Sequence, residues 1–120
     1  MAKNECKEQL IQKYDGKCFL NGFIYDKNPI TFHHIVPVRD GGLATVQNGA
    51  LLGRLEHDMF NLIEQMSKKK AVELNQAFMD YKLTKNDIIR IQARMFVDWY
   101  LMNQGYHIVE AKKVLILKRD

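Results

Sequence analysis

At 120 residues, 47% hydrophobic and 27% charged, the chain is a single domain (1–120) of ordinary globular composition, too short for two cores and too apolar for a disordered tail. A count of 18 basic against 14 acidic side chains leaves a net charge of +4, which suits a polyanionic partner without proving one. No apolar run reaches the ~18 residues of a membrane span, and the polar start M-A-K-N-E-C-K-E-Q-L has no signal-peptide core, so a cytoplasmic protein with two reduced cysteines, Cys6 and Cys18, is expected.

In chain order, Leu10, Ile11 and Tyr14 among Lys and Glu predict a short amphipathic helix from residue 3 to about 14, stopped by Asp15-Gly16. Cys18 to Leu20 reads as a short strand, and Asn21-Gly22 and Asn28-Pro29 are turn signals. Ile30 to Val36 is strand-like and ends at Pro37. Residues 38–47, with Gly41-Gly42, read as a loop. A helix is expected from about Leu52 to Lys68, with Leu55, Met59, Leu62, Ile63 and Met66 as its apolar stripe. A second, weaker helix covers roughly 69–82 on Ala71, Leu74, Phe78 and Tyr81. Thr84 is the candidate N-cap of a third, which runs to about Asn103 with Ile88, Ile91, Met95, Trp99 and Met102 as its core face. Gly105 fits the C′ position, and Ile108-Val109 and Val114 to Leu117 are strand material. The sum is an α+β fold without repeats or linkers.

Chemistry concentrates in the segment 31–61. Three of the four histidines fall there, as adjacent His33 and His34 and then His57. Asn48 lies fourteen residues after His34 and nine before His57, and Asn61 follows His57 by four. On a helix, His57 and Asn61 share one face. On a strand, His33 and His34 point to opposite sides unless the strand twists or ends there. A neutral imidazole can take a proton from water near neutral pH, and a divalent ion can stabilise a leaving oxygen, which are the two needs of phosphodiester hydrolysis.

His, Asn and Gly-Gly at these spacings resemble the HNH (His-Asn-His, ββα-metal) nuclease family. The resemblance implies a hairpin-plus-helix core at about 17–67, backed by helices and a strand segment at about 69–120. It implies a metal-dependent endonuclease that cuts DNA, a kind of stand-alone protein common in phages and mobile elements. By position, His34 matches the general base, and Asn48 the side chain that holds the base-bearing strand in register. His33, His57 and Asn61 match the metal ligands, with Asn61 where the family often has His. Mg²⁺ or Mn²⁺ is the implied cofactor, with Ni²⁺ a further candidate. Arg39, Arg54 and Lys68 are candidate phosphate contacts.

The segment D-G-K-C-F-L-N-G resembles the family's leading segment, where a four-cysteine zinc site often begins. Here those four positions are Cys18, Asn21, Gly53 and Glu56, so no structural zinc is expected and apolar packing from the C-terminal half should hold the motif. Each piece alone has a plainer reading: a His pair is often filler, and a Gly-Gly is often only a turn. Arg90 and Arg94 read as a solvated face, with Asp98 beside Arg94, or else as a DNA-facing pair. Lys68-Lys69-Lys70 reads as a helix end or a phosphate contact. Cys6 reads as a packing thiol, and His107 as structural without a nameable partner. The competing function is an HNH-fold DNA- or protein-binding module that is catalytically weak or inactive.

Overall fold

A computed structural model describes residues 3–22, 27–111 and 114–120. In order they form helix α1 (Lys3–Lys13), strand β1 (Ile30–His34), a 3-10 turn (Val38–Asp40), strand β2 (Gly49–Gly53), helices α2 (Arg54–Met66), α3 (Lys68–Thr84) and α4 (Asp87–Asn103), and strands β3 (Tyr106–Ala111) and β4 (Val114–Arg119). The fold is α+β, with two antiparallel hairpins, β1–β2 and β3–β4, among the described residues. No described helix is long and apolar enough to cross a membrane.

The first hairpin is registered from Ile30 opposite Gly53 to His34 opposite Gly49. Alternation puts Phe32 and His34 on one face and Thr31 and His33 on the other. A Cβ at Gly49 would run into Phe32 and Leu10, so α1 lies close against the first face. His33 stacks edge-on to Phe60 of α2 and Phe78 of α3, at ring centroid distances of 4.3 and 5.6 Å, on the second. With helices on both faces, every residue of β2 is buried. Such a strand shows an unbroken apolar run, not alternation. That is why the sequence placed a helix start at Leu52, where the chain is still extended; α2 begins at Arg54.

Other boundaries move for local reasons. Cys18 to Leu20 forms a turn and not a strand: Gly22 N–H bonds the Cys18 carbonyl at 2.9 Å, and a single bond, Phe19 N to Leu51 O at 2.7 Å, ties it to β2. β1 ends at His34, short of Val36. Asn86, not Thr84, caps α4, its side chain accepting from Ile88 N–H at 2.9 Å. Thr84 is the last residue of α3 and bonds back to the Asp80 carbonyl at 2.8 Å. Lys68 to Lys70 open α3 and do not close α2, so they stand at the positive end of a helix dipole. Met66 is exposed, outside the stripe assigned to it.

The largest correction concerns α4. Ile88, Ile91, Met95, Trp99 and Met102, expected in the core, are 60%, 46%, 65%, 63% and 71% exposed. Ala93, Val97 and Leu101 form the buried face instead. Helical periodicity marks both stripes as apolar and cannot rank them; the smaller residues allow the closer packing.

Arg94 is no solvated face either. Its guanidinium donates to Glu56 Oε2 at 2.8 Å and to Asp98. Glu56 is 1% exposed, and its other oxygen accepts from Asn28 Nδ2 at 2.6 Å. The Cys18 thiol faces that same oxygen at 3.9 Å and accepts from Gly53 N–H. Burial, then the Glu56 charge, push the Cys18 thiol up, so it stays protonated. Asn21 lines the same hollow. The four positions of the expected thiol site thus surround one buried polar network, with α4 clamped to α2 through charge as well as apolar packing. Arg90 is likewise structural, donating to the Leu20 carbonyl at 3.0 Å. His107 has a partner after all, Asp120, at 2.7 Å.

Removing one partner of a buried ion pair strands the other, at a cost of about 3–5 kcal/mol. Arg94→Met should lower urea-unfolding stability by that order, and adding Glu56→Gln should recover most of it. A loss under about 1 kcal/mol in the single variant would show that the pair does not tie α4 to α2.

Candidate active site

His33 and His57 meet between β1 and α2. Residue 33 reaches inward because it shares the helix-facing side of β1 with Thr31, and His57 lies one turn into α2. His33 is 4% exposed. Its Nε2 lies 2.8 Å from Asn75 Oδ1, an acceptor, so Nε2 carries the proton. Thr31 Oγ1 donates to the Leu52 carbonyl at 2.7 Å, so it accepts from His57 Nδ1 at 2.8 Å, and that nitrogen carries the proton of His57. The remaining nitrogens, His33 Nδ1 and His57 Nε2, turn their lone pairs toward each other at 3.4 Å.

Burial pushes His33 down to about 4, opposed by Asn75 and reinforced by His57 and His34. Burial also lowers His57; Asp58 pulls it back, while Lys3 and His34 lower it further. Both imidazoles are thus held neutral, the form that binds metal. Two imidazole nitrogens bound at ~2.0–2.1 Å to one tetrahedral zinc-like ion stand about 3.4 Å apart, so the pair has the spacing of two ligands of a single divalent ion. Among the described residues no cluster of three or more His, Cys, Asp and Glu gathers into a metal site. Asn61 is exposed, one turn beyond His57 on the same helix.

His34 is the last residue of β1 and faces away from His33, edge-on to Phe32 at 4.9 Å. It is partly exposed, and burial and the Lys3 charge lower its pKa. Its position depends on Asn48. The Asn48 amide accepts from Val36 N–H at 2.8 Å and donates to the Val36 and Leu43 carbonyls, both at 3.0 Å. The Asn48 carbonyl accepts from Ile35 N–H at 2.9 Å. The amide thus clamps the chain just after His34. Gly41, at φ 87°, turns the intervening loop, and a Cβ on Gly42 would strike the Val36 carbonyl.

Lys82 completes the clamp from α3. Its ammonium donates to the carbonyls of Val46, Gln47 and Gly49 at 2.5, 2.9 and 2.6 Å, on both sides of Asn48. Burial, and then Lys13, push it down to about 8.

The candidate phosphate contacts are separated. Arg39 and Lys68 line one groove of about 410 Å³ with Asp40, Glu64 and Asn75, and Arg39 pairs with Glu64 at 2.6 Å. Arg54 is exposed at the start of α2. Sequence reasoning missed Thr31, Asn75, Lys3 and Lys82. Strand alternation would have flagged Thr31, two residues before His33; the other three come from helices that carry no motif. Compared with known proteins, the chain matches no family model, no curated protein and no solved structure.

Because folding depresses the His33 pKa from 6.5 to about 4, the unfolded chain binds this proton first. Stability is therefore full above pH ~6.5 and falls as pH drops toward 4, by on the order of 3 kcal/mol. Urea unfolding of metal-free protein at about pH 7 and 4.5 should show this loss, and His33→Gln should remove most of it. An equal loss in the variant would assign the acid sensitivity elsewhere.

Proposed function

We propose that the chain is a metal-dependent endonuclease of the HNH type that hydrolyses DNA phosphodiester bonds. The observation that carries this reading is the convergence of two imidazole lone pairs, each tautomer set by its own hydrogen-bond partner, beside a strand end pinned by Asn48. Metal-binding histidines are ordinarily oriented through their second nitrogen in this way.

His33 and His57 would hold the divalent ion, and Asn61 offers an amide oxygen from the next turn of α2. When bound, the ion supplies positive charge at the leaving 3′-oxygen. His34 would take the proton of the attacking water, which requires its ring to turn from the Phe32 side of β1 toward the ion. It must be neutral for this, and burial and Lys3 keep it so at neutral pH. As the water oxygen bonds to phosphorus, the bond to the 3′-oxygen breaks, and the 3′-oxyanion takes a proton from solvent, leaving a 5′-phosphate and a 3′-hydroxyl. Asn48 and Lys82 hold the backbone on either side of His34. Arg39, Lys68 and Arg54 contact flanking phosphates. Imidazole nitrogen favours later transition metals, so Mn²⁺ or Ni²⁺ should support more activity than Mg²⁺.

A second reading, a DNA- or protein-binding module with little or no chemistry, is favoured by one observation: only two imidazoles converge. Plasmid nicking separates the two. Wild type should nick with Mn²⁺ and stop with chelator. His34→Ala should lose about 10²- to 10⁴-fold in rate while keeping its Mn²⁺ affinity, because the residue acts on water and not on the ion. No nicking by wild type with Mg²⁺, Mn²⁺ or Ni²⁺ would favour the binding module.

A further inference from the structure

The exposed face of α4 has no task in the chemistry above. Ile88, Ile91, Met95, Trp99 and Met102 stand 46–71% exposed along it; the other exposed positions are Gln92 and Asn103 and, in the first turn beside the stripe and not within it, Asp87. Each of the five leaves on the order of 100 Å² in water, giving roughly 500–700 Å² per chain. That reaches the upper end of the ~300–600 Å² usual for the largest patch of a monomer and approaches the ~800 Å² per partner of a stable interface.

We propose that this face is a homodimer interface in which α4 packs antiparallel against α4 of a second copy, with the two-fold axis at Met95. The spacing argues for this occupant. The stripe runs 88, 91, 95, 99, 102, steps of three, four, four and three, which read the same in either direction. An antiparallel two-fold therefore sets Ile88 level with Met102 of the second copy, Ile91 level with Trp99, and Met95 against itself. From 88 to 99 is eleven residues, close to three full turns, so the stripe runs straight along the helix and two copies meet over its whole length. Ile91 and Trp99 stand about 80° apart around the helix axis, so at the same height they lie side by side and do not collide.

Charge fits as well. Asp87, Arg90, Arg94 and Asp98 share one flank of the stripe. The same two-fold brings this flank against its copy. Arg90 and Arg94 are mostly covered and held by partners in their own chain, Asp87 pairs with Arg90 and Asp98 with Arg94, so the flank sets no unpaired like charges against each other. The opposite flank carries no like-charged pair to oppose it. Symmetric self-association is also the commonest oligomeric arrangement.

Trp99 is the only tryptophan, so its fluorescence reports the interface directly. The full chain should sediment as a dimer, twice 14.1 kDa, at about 100 µM, well above the dissociation constants usual for an interface near this size. Its Trp99 emission should shift to the red on dilution. Met95→Lys places two ammonium groups face to face on the axis and should sediment as a monomer. Its thermal unfolding at low concentration should match wild type, because Met95 is exposed in the single chain. A wild type that stays monomeric at about 100 µM, or a dimer that survives both Met95→Lys and Trp99→Ala, would overturn the proposal.

Discussion

With the two protons placed on the far nitrogens, two lone pairs face one another across 3.4 Å and repel unless something positive sits where they converge. Thr31 and Asn75 enforce this arrangement, because each fixes the proton on the far nitrogen of its histidine. Burial adds to it by disfavouring the protonated form that would relieve the repulsion. Such a contact persists only if the surrounding structure holds both rings in place. A divalent cation bound there would turn the unfavourable contact into a favourable one, which is why we propose a metal at this pair.

The rest of the fold supplies that rigidity. The β1–β2 register sets Thr31 and His33 on the side where α2 and α3 arrive. Asn48 and Lys82 lock the connecting loop with directed hydrogen bonds, so His34 ends a strand whose continuation cannot swing. Below the site, Cys18, Asn28, Glu56 and Arg94 form a network in which each polar group has a partner. A fully satisfied network of this kind can rigidify a small core. It also makes the C-terminal half indispensable: Arg94 comes from α4, Lys82 and Asn75 from α3, and all three act on elements of the motif.

What could be read from the sequence was what depends on local spacing. The bodies of α1 and α2 and most of the strand read at 30–36 follow from periodicity, and the facing of His33 and His57 from strand alternation and their place one turn into α2. β2 was hidden because burial on both faces erased its alternation. The choice of the buried stripe on α4 was unreadable because it depends on which apolar face fits the space left by α2 and α3. Asn75 and Lys82 were invisible for a related reason. Nothing local marks a polar residue on a helix as the partner of a histidine or a loop far away in sequence.

The most direct test is a calorimetric Mn²⁺ titration of wild type, Thr31→Val and the His33→Ala/His57→Ala double variant. Wild type should bind one ion per chain. Thr31→Val keeps both ligands but releases the His57 tautomer and should weaken binding by about 10- to 100-fold. The double variant should bind no ion at that site. Equal affinity in all three would place the metal elsewhere and leave the facing lone pairs without a function.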